Sequence, residues 1–249
     1  MIKKLFCSSG EFFATVKYSS NVYCNYKKHM HPVLSFGVIE EGSMQIEFEN
    51  SKVILQKDSL VAFNKFKLHH SKNIDAKGYY SIYISQEWLK KRFENIGCLD
   101  LIEYKNISYL IKNALLQDNC DELSLIFEKI IKDNSVNNTY KSCEVVDSMI
   151  EHIYNNINDK ISIDSIAKEL QFSKEYLIRK FKKQMGLTPQ QFILSLKVHL
   201  SSVMLLNNNS NITDISYSYS FFDQSHYIKT FKDIYGISPK NYKKSIFYN

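Results

Sequence analysis

Residues 162–189 read SIDSIAKELQFSKEYLIRKFKKQMGLTP, and residues 211–239 read NITDISYSYSFFDQSHYIKTFKDIYGISP. The two stretches share landmarks at a nearly constant offset. The landmarks that recur 50 residues apart are Phe181, Gly186 and Pro189 with Phe231, Gly236 and Pro239. An internal repeat has to be identified before the fold is predicted, because overlooking it leads to a wrong fold for the whole chain. The sequence therefore predicts two copies of one structural unit.

Each copy has the pattern of a helix, a tight turn and a second helix. In the first copy, apolar residues recur at helical spacing, at Ile163, Ile166, Ala167 and Leu170. Ser173 and Asp223 stand at the N-cap of the second helix of each copy, because their side chains can accept from unpaired backbone amides. Gly186 and Gly236 are predicted left-handed C-caps. Two short helices joined by a tight turn form the helix-turn-helix unit, whose second helix can enter a DNA major groove.

The outward-facing side chains of these second helices are mostly basic or polar. In the first copy they are Lys174, Arg179, Lys180, Lys182 and Lys183 against the single acid Glu175; in the second they are Gln224, Ser225, His226, Lys229 and Lys232. Lysine and arginine suit phosphate, and arginine, glutamine and serine also bond base edges. One lysine-rich helix face is most often merely solvated. Two such faces on twin units favour DNA.

The segment from about Glu144 to Lys244 resembles the DNA-binding domain of the AraC/XylS family of transcriptional regulators. The motifs that carry the resemblance are Ile166-Ala167, S-x-x-Y-L-x-R-x-F-K from Ser173 to Lys182, G-x-T-P from Gly186 to Pro189, Leu205-Leu206, F-x-D-Q-S from Phe221 to Ser225, Phe231-Lys232 and G-x-S-P from Gly236 to Pro239. They span about two-fifths of the chain. The resemblance implies double-stranded DNA and RNA polymerase as partners, a homodimer in many members, and activation more often than repression.

The resemblance and the exposed chemistry together assign DNA-contacting residues. The first reading head is predicted to comprise Ser173, Lys174, Glu175, Ile178 and Arg179, and the second Gln224, Ser225, His226 and Lys229, with Lys180, Lys183 and Lys232 on phosphates. Only Arg92 and Arg179 are arginine among 32 basic residues. Against that lysine bias, an arginine on the outer helix face favours bidentate pairing with guanine.

The second copy departs from the family pattern at its turn. Ser220 stands where the family usually has glycine, and Lys197 where it usually has arginine. A turn glycine often supplies a positive φ that serine adopts only at a cost. The second reading head is therefore expected to be set differently from the first.

Length and composition set the broad class. The chain has 249 residues, enough for two domains, and a net charge of +6. Its five cysteines contain no C-x-x-C, so neither a disulfide framework nor a zinc finger is indicated. The apolar runs are too short for a signal peptide or a membrane helix. The expectation is a soluble, cytoplasmic protein without membrane partners, and the wealth of lysine, asparagine, isoleucine and tyrosine suggests a bacterial, A/T-rich genome.

Residues 10 to about 85 have the pattern of β-structure. Met44, Ile46 and Phe48 alternate with polar residues, as in a half-buried strand. Further predicted strands lie at 12–18, 33–39, 52–55, 60–63 and 79–85. Many short strands separated by turn signals favour a small barrel or jelly roll.

This half also resembles, more weakly, the cupin-like effector domain of AraC/XylS members. The marks are His29, His31-Pro32, Gly42, Asn64 and His69 or His70. The predicted effector-binding residues are His29, His31, Phe36, His69, Tyr80 and Tyr83. Three histidines can also form a metal site, but metal-binding cupins add a glutamate that residues 33–36 lack, so neither metal nor cofactor is predicted.

Helical patterns follow the strands, and they divide the chain into three parts. Residues 1–95 are assigned to a cupin-like effector domain, residues 96–142 to a helical segment for dimerisation or packing that ends in a linker, and residues 143–249 to the double helix-turn-helix domain. A long apolar helix near Leu194–Leu206 is expected to separate the reading heads by about one duplex turn, ~34 Å. The predicted fold class is α+β in two domains.

The sequence therefore predicts a non-enzymatic transcriptional regulator whose DNA binding or dimer geometry responds to a small effector. Two alternatives stay open. One is a metal-dependent cupin enzyme with a DNA-binding appendage, and the other is an orphan regulator without a small ligand.

Overall fold

Strands occupy the first third of the chain and helices most of the rest in the computed structural model, which describes residues 2–20, 26–94, 96, 99, 101–117, 120–135, 143–205 and 211–247. The strands are β1 Ile2–Phe6, β2 Phe12–Ser19, β3 Tyr26–His29, β4 Ser35–Glu41, β5 Ser43–Phe48, β6 Lys52–Gln56, β7 Ser59–Phe63, β8 His69–Asn73, β9 Lys77–Ile84 and β10 Leu101–Glu103. The helices are α1 Gln86–Arg92, α2 Ile107–Gln117, α3 Asp121–Asn134, α4 Glu144–Asn155, α5 Ile163–Glu169, α6 Lys174–Met185, α7 Pro189–Met204, α8 Ile212–Ser218, α9 Gln224–Tyr235 and α10 Pro239–Phe247.

The chain forms two compact units, one made mainly of residues 1–138 and the other mainly of residues 139–243. The first is rich in β-structure and the second is helical. This two-unit α+β organisation confirms the coarse fold prediction.

The N-terminal unit contains two sheets. One has six strands in the order β1-β2-β9-β4-β7-β10, and the other has four in the order β3-β8-β5-β6. Strand β9 pairs antiparallel with β2 and with β4, so it lies near the centre of the larger sheet. Gly42 makes the tight turn between β4 and β5 at φ +84°, where an added Cβ would lie 2.4 Å from the Asp75 carbonyl oxygen.

The predicted strands are all present, and sequence reasoning missed β1, β3, β8 and β10. Met44 and Ile46 in β5 are fully buried, as the alternation predicted. Strand β8 reads HHSKN and has no apolar alternation. It is a strand because Ser71 pairs with Ile46 across the sheet, a long-range interaction that has no local signal.

Two apolar layers cover the faces of the six-stranded sheet. One contains Phe13, Phe36 and Tyr80 together with side chains of α1–α3, and the Phe36 and Phe127 ring centroids lie 5.0 Å apart. The other contains Ile39 and residues of the four-stranded sheet. The helices α2 and α3, predicted either to pack or to dimerise, thus contribute to the core of their own unit.

Candidate nucleic-acid interface and histidine cluster

The first helix-turn-helix consists of α5 and α6, and its ends match the sequence prediction. The Ser173 side chain accepts from the Tyr176 backbone amide at 3.2 Å, which caps α6. Gly186 ends the helix in the left-handed region at φ 71°. Leu177 and Phe181 are fully buried. They fix the rotation of α6 about its axis and thereby determine which side chains point outward.

The second helix-turn-helix consists of α8 and α9 and has caps and buried residues at the matching positions. Asp223 accepts from the His226 backbone amide at 2.6 Å, and Gly236 ends α9 at φ 75°. Tyr227 and Phe231 are buried as predicted. Tyr235, at 4% exposure, closes this core, and its ring stacks on Phe231 with centroids 4.7 Å apart.

The outer face of α6 carries the predicted charges. Glu175, Arg179, Lys182 and Lys183 are exposed, and their spacing of three to four residues places them along one face. Lys180 and Ile178 are half-buried, and the Lys180 ammonium lies 5.8 Å from the Tyr176 ring centroid. Arg179 therefore occupies the middle of an exposed, mainly basic helix face.

The outer face of α9 is more polar than that of α6. Gln224, Ser225, Lys229 and Lys232 are exposed. His226 is half-buried, and its ring packs edge-on against Phe221 at 5.6 Å. The structure brings four of the five predicted residues onto one open face and places the His226 ring partly in the packing.

Both recognition helices begin with a contact back to the first helix of their unit. The Lys174 ammonium lies 2.8 Å from an Asp164 carboxylate oxygen, and this interaction lowers the pKa of Asp164. At the matching place in the second copy, the Thr213 hydroxyl donates to Gln224 Oε1 at 3.3 Å. Lys174 and Gln224, both predicted to contact DNA, therefore also link the two helices of their own helix-turn-helix unit. The sequence did not reveal this role.

The turn between the helices takes a left-handed residue in both copies. Gln171 has φ 59° and Ser220 has φ 49°. The Ser220 hydroxyl donates to the Asn158 carbonyl oxygen, which offsets part of the conformational cost. The positive φ that the sequence flagged at Ser220 is confirmed.

Helix α7 joins the two helix-turn-helix units over 16 residues, a length of about 24 Å. A capping box between Thr188 and Gln191 starts it. Lys197 is 4% exposed and donates to the Asp159 carbonyl oxygen at 2.9 Å; burial lowers the pKa of this ammonium group. The lysine thus serves helix packing. Leu206, predicted to be the end of this helix, lies outside the described residues.

Phe222 is an exposed apolar residue that no sequence pattern singled out. Its side chain is 89% exposed, directly before the Asp223 cap of α9. The matching Phe172 is 42% exposed and stacks on Tyr176 at 5.0 Å. The sequence did contain a signal for this residue, because an aromatic residue stands directly before the cap of the second helix in both copies.

The predicted effector residues separate into two groups. His29, His31 and His69 are buried, and the ring centroids of His31 and His69 lie 4.9 Å apart. The Tyr83 ring lies 5.3 Å from His31. Phe36 and Tyr80 instead belong to the apolar layer that contains α1–α3, because neighbouring residues of a strand point to opposite faces. The structure does not bring these two together with the histidines.

In the described part of the chain, none of the helices is both long and apolar enough to cross a membrane.

Comparison with known proteins agrees with the helical unit. A family described as a helix-turn-helix domain matches residues 166–245. The uncharacterized HTH-type transcriptional regulator YdeC of Bacillus subtilis is 26% identical over 64% of this chain and 55% of its own length. The Msm operon regulatory protein of Streptococcus mutans is 29% identical over 81% of this chain and 66% of its own length. The chain thus spans about half to two-thirds of these two relatives.

Among solved structures, ToxT from Vibrio cholerae O395 has the same fold over nearly the whole chain. The TM-score is 0.71 at 17% identity, covering 95% of this chain and 98% of ToxT. Twin capped helix-turn-helix units, the matching domain family and regulators as relatives agree with one another. They confirm, for residues 166–245, the resemblance to the helix-turn-helix domain of AraC-type transcriptional regulators.

Proposed function

We propose that the protein is a sequence-specific, double-stranded-DNA-binding regulator of transcription. The observation that carries the proposal is the pair of capped recognition helices, α6 and α9, each presenting an exposed polar and basic face. A helix of this kind fits the major groove. Two such helices held apart by helix α7 can contact successive segments of the groove. We place the protein in the cytoplasm and in contact with RNA polymerase because its target would be promoter DNA, and we propose activation as its usual effect.

Within this proposal the exposed side chains take distinct roles. Glu175 and Arg179 read bases, because a carboxylate accepts from cytosine and a guanidinium pairs with guanine. Gln224, Ser225 and Lys229 form the second reading head. The other predicted contacts are Lys180, Lys183 and Lys232 on phosphates, with Ser173, Lys174, Ile178 and His226 at the edges of the reading faces.

Selection from a randomised duplex library with the purified full chain tests this function. The expected result is one enriched sequence with two blocks about one duplex turn apart, ~34 Å. The matched control replaces Lys183 and Lys232 with glutamine, which removes charge from both faces and leaves the buried residues in place. Loss of retention in this control supports the assignment. Recovery of random duplexes alone by the unmodified chain would contradict it.

We further propose that the N-terminal unit is a cupin-like jelly roll that binds a small effector. Its two sheets enclose an apolar layer, and His31, His69 and Tyr83 lie together in this unit. ToxT, which shares the fold, has been solved with a bound unsaturated fatty acid. Phe36 and Tyr80 would act indirectly in this view, because their layer connects the sheet to α3.

Native mass spectrometry of the purified chain tests the effector proposal. A retained organic mass supports it, and titration of that compound into the DNA-binding assay should change the affinity. A chain that binds its DNA site unchanged in lipid and metabolite extracts would favour the orphan-regulator alternative.

Residues 96–142 remain our proposed segment for dimerisation or packing. Tyr109, Leu116 and Leu125 on α2 and α3 are more than 60% exposed. Tyr109 and Leu116 are seven residues apart, so they lie on one face of α2. This face is where a homodimer contact would form. The linker was predicted from Asn134 to Tyr140; Asn134 instead ends α3, and residues 136–140 lie outside the described residues.

A further inference from the structure

Two buried thiols lie next to each other in the N-terminal unit, although 113 positions separate them in the sequence. The Sγ atoms of Cys7 and Cys120 are 3.7 Å apart. Neither residue belongs to the proposed DNA contacts or to the proposed effector site. We propose that these two cysteines are a redox modification site, which a hydroperoxide converts into a disulfide bond.

The two sulfur atoms are close to bonding distance. A disulfide bond is about 2.05 Å long, so the sulfurs have to approach each other by about 1.6 Å. Shared between the two side chains, this is a shift of less than about 1 Å for each sulfur. Side-chain rotation can provide such a shift, and the backbone of the unit can stay in place.

Polar contacts already join the end of β1 to the start of α3 beside the two thiols. Cys7 follows β1, and Cys120 directly precedes α3. The Ser8 backbone amide donates to Asp121 Oδ1 at 2.9 Å. Hydrogen bonds from Ser8 and from the Cys7 thiol lower the pKa of Asp121. These contacts hold the two cysteines side by side before any bond forms.

The surroundings of the two thiols determine which sulfur the oxidant reaches first. Cys7 is 9% exposed and borders residues 8–10, which are all exposed, whereas Cys120 is 1% exposed. Burial also raises the pKa of Cys120, which keeps this group a neutral thiol. Because the thiolate is the nucleophile, we assign the first attack on the peroxide to Cys7.

The reaction consumes one peroxide per chain. The Cys7 sulfur attacks a peroxide oxygen, the O–O bond breaks, and Cys7 becomes a sulfenic acid while water or an alcohol leaves with the Cys7 proton. The Cys120 sulfur then attacks the sulfenic sulfur, the S–O bond breaks, and the hydroxyl group leaves as water with the Cys120 proton. Two electrons pass from the two sulfurs to the peroxide. A thiol reductant restores both cysteines by exchange.

The bond would covalently tie β1 to α3. Disulfides in cytosolic proteins are usually transient and catalytic or redox-sensing, so this pair would give the regulator an input that responds to oxidants. Closing a loop across 113 positions also restricts the unfolded chain, which stabilises the folded unit. This inference does not rest on the DNA-binding proposal, since thiols are counted on protein without DNA.

The test treats the reduced full chain with one equivalent of hydrogen peroxide. The expected results are loss of two of the five thiols, their recovery with dithiothreitol, and peptides joined through Cys7 and Cys120 in mass spectrometry. Oxidation should also raise the urea midpoint of the unmodified chain. Cys7→Ala and Cys120→Ala should each abolish both the joined peptides and the rise. The matched control is Cys143→Ala, which changes a half-buried cysteine of the other compact unit and should still form the bond.

Circular dichroism checks the folding of each variant. Should an alanine variant fail to fold, the joined peptides of the unmodified chain decide the question. Free thiols at both positions after peroxide treatment overturn the proposal, as does a disulfide from either residue to a different cysteine. Conversion of Cys7 to a sulfinic acid while Cys120 stays reduced also overturns it, because the second thiol would then not have reached the sulfenic acid.

Discussion

Replacing Arg179 with lysine separates base reading from simple charge attraction. Arg179 is exposed in the middle of the outer face of α6, four residues after Glu175. Four residues advance about 6 Å along a helix, which is close to two base-pair steps of about 3.4 Å. The two side chains are therefore spaced to contact base pairs about two steps apart. Lysine keeps the positive charge but lacks the planar pair of donors that matches guanine.

The expected cost of Arg179→Lys is about 1–3 kcal/mol at a single base pair. This corresponds to a ratio of dissociation constants of about 5- to 150-fold between the preferred guanine and another base. Affinity for unrelated duplexes should hardly change, because the charge is retained. Arg179→Ala should give the same loss of preference, and should also reduce the slope of log affinity against log salt by about one.

The assay is fluorescence anisotropy on the selected site and its single-base variants at two salt concentrations. Lys183→Ala is the matched control on the same exposed face, one turn further along α6. It should weaken all duplexes about equally and leave base preference intact. If Arg179→Lys weakens every duplex by the same factor, Arg179 contacts phosphate and the base-reading assignment is wrong.

Two further predictions concern stability. Gln171→Gly should stabilise the helical unit by about 0.5–1 kcal/mol, because glycine adopts φ 59° without strain, whereas Ser220→Gly should gain less because it loses the hydrogen bond to the Asn158 carbonyl oxygen. Urea unfolding midpoints measure both, and a lower midpoint for both variants would contradict the strain argument. In the N-terminal unit, hydrogen bonding to Arg92 lowers the pKa of Glu11 from 4.5 to about 2. Its ionised form therefore stabilises the fold above pH 4.5, and this stabilisation is lost as the pH falls towards 2. Glu11→Gln should flatten the fall of the urea midpoint between pH 5 and 3, and an unchanged pH dependence would exclude the ion pair as its cause.

The local signals of the helical unit were sufficient to predict its structure. A cap is decided within four residues, so Ser173 and Gly186 could be assigned from sequence alone. The positive φ at Ser220 followed from the family resemblance, because glycine usually stands at this place in the turn. His226 shows the limit of such reasoning, since its ring packs against Phe221 through contacts that helical spacing does not specify.

The N-terminal half depended on long-range pairing. Strand β8 has a polar sequence and is defined by its register against β5. The sequence grouped Phe36 and Tyr80 with the histidines, but these two side chains lie in the layer that contains α3. Alternation assigns residues to two faces without showing which face meets helices and which meets the second sheet.

The sequence by itself determined that this protein carries two helix-turn-helix units whose second helices expose basic or polar side chains, because caps, turns and helical periodicity act over a few residues. Only the tertiary structure decided that His31 and His69 meet, with their ring centroids 4.9 Å apart. Residues 31 and 69 are 38 positions apart, and their approach depends on two strands entering the same sheet. Backbone hydrogen bonds between distant strands set that arrangement, and those bonds leave no periodic trace in the sequence.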